Sequence, residues 1–189
     1  MLVHAKTGKD IGRELADEVT GYVEGRGTWQ FRMFLGLASY GMTVIDHEKF
    51  DIHLFLRDPE AAIKLQVGDP QVVAAIVDET DFEAETLAVK KCIDSSQIKF
   101  IETSPNIENI TEYLADNRLL MVNVNRRILD NKDGREGHIL IVEKIVNEQV
   151  IVHDPGPGGG LNIPINIELF RSAWTSPAPE MANIIAVKA

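Results

Sequence analysis

The character of the hydrophobic pattern changes near Leu119, and that change limits the folds open to this chain. Before it, apolar residues recur at helical spacing: Ile11, Leu15 and Val19, then Phe31, Phe34, Leu35 and Ala38, then Ile107, Ile110 and Leu114. After it come short runs suited to strands: Leu119 to Val124, His138 to Ile145, Gln149 to Asp154 and Asn183 to Lys188. The second and third of these are separated by Asn147-Glu148, which predicts a hairpin. Helices first and strands second predict an α+β fold, with N-terminal helices packed on a C-terminal antiparallel sheet. No linker-like segment interrupts the chain, so residues 1-189 read as a single domain.

Local signals fill in the rest. Gly25-Arg26-Gly27-Thr28 ends the first helix, Thr28 is placed to cap the next one (Trp29 to Tyr40), and Gly41 stops it. Met42 to Asp46 reads as a short strand. Asp58-Pro59 and Asp69-Pro70 are helix starts with proline at the first helical position. Thr80 or Asp78 is expected to cap the helix carrying Phe82, Leu87 and Val89, and Ser104-Pro105 opens another, with Ile107, Ile110 and Leu114 inward. Asn131-Lys132-Asp133-Gly134 is a polar loop, and Pro155 to Gly160 is too rich in Pro and Gly for regular structure. Ile163 and Ile165 flank Pro164 in a short strand tolerable only at a sheet edge. Asn166 is placed to cap Ile167 to Trp174.

Charge and cysteine content narrow the function. The 189 residues carry 19 Lys and Arg against 29 Asp and Glu, a net charge of −10, which argues against binding a phosphate backbone. The densest basic group, Arg126-Arg127 with Lys132 and Arg135, falls in an Asp/Asn/Gly-rich loop. With no apolar run of membrane-spanning length and no signal-like stretch from Met1 to Lys9, a cytoplasmic protein without a membrane partner is expected. Cys92 is the only cysteine, which excludes an internal disulfide and a thiolate metal cluster. It follows Lys90-Lys91 at the end of a helical stretch, a place for a small buried hydrophobe and not for an activated thiol. Asp46, His47, His53 and His153 match no zinc spacing, so neither a metal nor another cofactor is expected.

The chemistry-bearing residues lie in the hairpin. Gly137-His138 opens one strand, and Asp154-Pro155-Gly156 closes the next. Histidine and carboxylate are a base and its orienter: the carboxylate fixes the tautomer and steadies the imidazolium once the ring has taken a proton. Gly137 leaves one flank of the ring open to a substrate, and the loop carrying Gly156 and Gly158 is placed to line a substrate groove. One geometric obstacle stands in the way. A flat hairpin with a two-residue turn at Asn147-Glu148 pairs even positions with odd ones. His138 and Asp154, both even, would then face opposite sides unless a bulge or an odd-length loop intervenes.

Gly-His followed by apolar residues, a strand ending in Asp-Pro-Gly, and a helix ending in Phe170-Arg171-Ser172-Ala173-Trp174 resemble the C-terminal pattern of the bacteriocin-processing (double-glycine) peptidases, a papain-like cysteine peptidase family. Gly27-Thr28-Trp29 and Leu37-Ala38-Ser39-Tyr40-Gly41-Met42 resemble that family's middle section. The resemblance implies a papain-like fold, His138 as general base, Asp154 as its orienter, and a peptide or protein substrate. The family's nucleophile lies in a Cys-Gly-Pro-like motif preceded by a Gln, and this sequence has neither; the motif is expected before Met1. Three roles stay open: a cysteine peptidase completed by an upstream cysteine, a pseudo-peptidase that binds a peptide or small ligand, and a structural or regulatory domain. Substrate and oligomeric state are not legible in the sequence.

Overall fold

In a computed structural model of the protein, Val3, Gly8 and residues 11–23, 29–156 and 158–188 are described. The expected break at Gly25-Arg26-Gly27-Thr28, the Thr28 cap and Pro157 lie outside them. The chain divides into two compact units.

The first unit contains residues up to Val44 and from Phe50 to Lys99. Its helices are α1 (Gly12–Thr20), α2 (Gln30–Ser39), α3 (Ile52–Arg57), α4 (Pro59–Val67), α5 (Pro70–Glu79) and α6 (Phe82–Asp94). Asp58 and Asp69 cap α4 and α5, each followed by proline at the start of the helix, as the sequence predicts. The cap of α6 is neither Thr80 nor Asp78 but Asp81, whose carboxylate accepts from the Ala84 amide at 3.1 Å. Thr80 is used otherwise, accepting a hydrogen bond from Trp29 Nε1 at 3.1 Å. The inward face of α6 is Glu85, Ala88, Val89 and Cys92, while Leu87 is exposed. Phe55 is fully buried among the rings of Trp29, Phe31, Phe50 and Phe82. In α2 the glycine Gly36 lets the helix meet α1, because a Cβ there would stand 1.9 Å from Val19 Cγ1.

The second unit, Ile45–Lys49 with Phe100–Lys188, is built on the sheet. Its elements are β3 (Leu119–Asn125), β4 (Gly137–Val146), β5 (Gln149–His153), β6 (Ile163–Asn166) and β7 (Asn183–Lys188), with α7 (Ile107–Ala115), α8 (Arg126–Leu129) and α9 (Ile167–Trp174). Parts of β1 (Thr43–Glu48) and β2 (Ile98–Ile101) belong to it as well. The strand order is β2-β1-β7-β3-β4-β5-β6. The sheet is mixed overall, and antiparallel pairing runs without interruption from β7 to β6. The expected α+β class holds. One face of the sheet carries Leu120, Val122, Val124, Leu140, Val142, Val150, Val152 and Ile184, packed on Ile110 of α7 and Phe170, Ala173 and Trp174 of α9. Asn166 caps α9 through the amides of Glu168 and Leu169, and Trp174 donates to the Asn183 carbonyl at 2.8 Å. No helix among the described residues is long and apolar enough to cross a membrane.

Glu85 is the exception to the apolar core of the first unit. It is buried, with its Oε1 3.4 Å from Arg32 Nε and its Oε2 without a hydrogen-bond partner among the described residues. Burial pushes its carboxyl above the usual glutamate value, against the pull of Arg32 and with a further push from Asp81. A raised folded-state pKa stabilises the fold below the unfolded glutamate value of about 4.3, and that contribution is lost as pH rises through the folded value. Glu85→Gln, which mimics the protonated acid, is therefore expected to unfold at a higher temperature than the parent at pH 7. The gap should close as the pH approaches about 4; a variant that is less stable at pH 7 would show that the Arg32 pair outweighs burial.

Candidate functional site

The hairpin solves the parity problem with a bulge. Its turn is the predicted one: Asn147 and Glu148 both have positive φ, 48° and 59°, the signature of a two-residue type I′ connection. Near the turn the ladder pairs even with odd, Ile145 with Val150 and Lys144 with Ile151. The register then shifts between Val142 and Lys144, leaving Glu143 as the extra residue, and beyond it Val142 pairs with Val152 and Ile141 with His153. Even residues now oppose even ones. His138, paired with Val124 across β3, and Asp154, one residue beyond β5, therefore extend the same face as Leu140 and Val152.

His138 Nε2 and Asp154 Oδ1 are 2.6 Å apart. The Gly156 amide donates to the same oxygen at 2.8 Å, and Arg126 Nη1 lies 3.4 Å from Oδ2. Burial pushes the Asp154 carboxyl up, but the Gly156 amide, His138 and Arg126 outweigh it and hold the group below the usual carboxylate range. An ionised Asp154 accepts only, so in the neutral ring the proton sits on Nε2. Arg126 Nη1 is 3.3 Å from that same nitrogen, which then has no lone pair to offer it; the guanidinium's hydrogen-bond partner is Asp154 Oδ2. Nδ1 is left as the basic nitrogen, with no hydrogen bond among the described residues.

A groove of about 310 Å³ opens beside the pair. Arg126, Asp130, His138 and Asp154 form its charged end, and Leu129, Leu140, Val152, Ile163, Ile165 and Leu169 supply most of its apolar lining. Among the described residues of the lining, none carries a thiol or hydroxyl. Cys92 is buried in the first unit, where its Sγ contacts the Phe31 carbonyl at 3.4 Å.

Of the residues singled out in the sequence, His138 and Asp154 are brought together. Gly156 touches them: a Cβ there would stand 2.6 Å from His138 Cε1. Gly137 is exposed and faces Asn123, and a Cβ on Gly158 would meet open space; none of the three glycines is part of the groove lining. The loop from Asp154 is tied down, with Asp154 donating to the Gly160 carbonyl and Gly159 to that of Gly156, both at 2.9 Å. Among the described residues no group of three or more His, Cys, Asp or Glu is placed to hold a metal ion. His47 is buried between the Tyr113 and Thr103 hydroxyls, each 3.0 Å from one ring nitrogen. Phe170 and Trp174 belong to the core. Sequence reasoning missed Arg126, grouping it with loop cations. The signal was its place directly after β3, whose last residues pair with Gly137 and His138.

No protein-family model matches the chain, and no curated protein matches it.

Gly156→Ala is expected to abolish the hydrogen-bonded Nε2–H resonance of His138 in NMR spectra of the ring nitrogens, because the ring and the methyl group cannot share the space. Gly158→Ala, strained by its φ of 76° but free of any clash, should keep that resonance and lose about 1 kcal/mol of stability in urea denaturation.

Proposed function

We propose that the second unit is a papain-like, peptidase-type module that binds a peptide in the groove beside His138, as a pseudo-peptidase whose base and orienter are retained without a nucleophile. The observation that carries this reading is the 2.6 Å His138–Asp154 pair at the head of a partly apolar groove that offers no thiol or hydroxyl. The apolar lining suits an aliphatic side chain of the ligand. The imidazole and the Arg126 guanidinium suit its backbone carbonyls, because both are donors once the ring is protonated.

A second reading is favoured by one detail, the proton on Nε2. With Asp154 on that nitrogen, Nδ1 can take the proton of a thiol, and the thiolate formed can attack a peptide carbonyl. That reading makes the chain a cysteine peptidase when a cysteine is supplied from elsewhere in a longer protein.

The experiment adds a pool of quenched fluorescent peptides to the full chain and follows two signals together, fluorescence release and the methyl resonances of Leu140, Val152, Ile163 and Ile165. Methyl shifts without fluorescence release are the expected outcome. Fluorescence release that appears only in a longer protein supplying the cysteine, and disappears in its His138→Ala variant, would replace it with the peptidase reading, and the absence of methyl shifts would end both. His138→Ala itself should unfold within a few degrees of the parent, since the residue begins a strand at the rim of the core. A large loss of melting temperature would mark the histidine as structural.

A further inference from the structure

On the face of the sheet opposite the groove, a second histidine holds the chain at two points. His153 pairs with Ile141, next to the Val142–Val152 pair that follows the bulge. Its Nδ1 accepts a hydrogen bond from the Asn162 amide at 3.1 Å. A ring that accepts through Nδ1 carries its proton on Nε2, and His153 Nε2 lies 3.5 Å from Glu143 Oε2. Glu143 is the extra residue of the bulge, the one left without a partner where the register shifts. Asn162, held in the left-handed region at φ 56°, is where the loop after Asp154 returns to the sheet.

These two points fix Asp154 from both sides. The bulge decides which face of the sheet the residue after His153 occupies, and the Asn162 end decides how the loop beyond Asp154 closes. A ladder that kept the register of Lys144 and Ile151 up to the strand ends would turn Asp154 away from His138. We propose that Glu143, His153 and Asn162 form a clamp that selects the bulged register and so positions Asp154 against His138. They are positioning residues: none of them touches the groove. The inference deepens the peptide-binding reading only in so far as that reading depends on the His138–Asp154 pair. Its test reads the pair directly, so failure of the clamp and failure of peptide binding give separate results.

The readout is the His138 ring in the full chain, by NMR of the imidazole nitrogens: a single tautomer with a hydrogen-bonded Nε2–H. His153→Leu, which cannot accept from Asn162 and has no N–H to turn toward Glu143, is expected to lose that signature. His153→Gln, which can do both, is expected to keep it. The decisive variant deletes Glu143. Without the extra residue a regular ladder pairs even positions with their present partners, so the deletion should keep the signature, and should restore it when combined with His153→Leu. A His153→Leu protein that retains the His138 signature overturns the proposal. So does a double variant that fails to restore it while the deletion alone preserves it. Should His153→Leu not fold, Glu143→Ala, a change at a partly exposed side chain, carries the same test: loss of the signature is expected, and its retention overturns the proposal.

Discussion

The His138–Asp154 hydrogen bond depends on a parity rule before it depends on any contact. Side chains on a strand alternate faces, so a hairpin's turn length decides which residues meet. A two-residue turn at Asn147-Glu148 is the wrong length for this pair, and the unpaired Glu143 corrects it. The rest of the site follows from that single inserted residue. Asp154 arrives on the core face, Gly156 can approach the imidazole closely, and Arg126, leaving β3 two residues after the partner of His138, can reach the carboxylate.

Electrostatically, the site is a carboxylate with three donors around it: an amide, an imidazole and a guanidinium. That arrangement favours the charge on Asp154 against the opposing push of burial. It also assigns the two imidazole nitrogens different work, one tied to the carboxylate and one left for whatever enters the groove. The groove supplies apolar contact on the side of Leu140 and Val152 and charge at the Arg126 end. Under the proposed peptide-binding role, such a mixture orients the ligand as well as holding it, because burial is non-directional and the hydrogen bonds are not.

Much of the fold was legible because local chemistry and global packing agree there. Asp58-Pro59, Asp69-Pro70 and Asn166 open helices where expected, and the strands from Leu119 onward fall close to their sequence limits. The misreadings have a common source in tertiary contacts. Thr80 has the chemistry of a cap but is occupied by Trp29, and the cap passes to Asp81. The site residues His138 and Asp154 were visible as types at a spacing, but their meeting was not, because a bulge leaves no compositional trace at Glu143. Arg126 was hidden for the same reason: its role depends on which strand end lies beside β4.

Pro164 sits in the last strand of the sheet, and its position has a consequence for how the protein behaves in company. Ile167 donates to the Glu148 carbonyl at 2.9 Å, which marks those two positions as a bonded pair of the β5–β6 ladder. Bonded and non-bonded pairs alternate along an antiparallel ladder, so Pro164 and Ile151 form a non-bonded pair and the backbone groups of Pro164 point outward. The missing amide is thus missing on the free side, at no loss to the fold. A neighbouring molecule that tried to extend the sheet would find an acceptor there but no donor to answer it. The rim beside the groove is therefore guarded against strand-by-strand polymerisation.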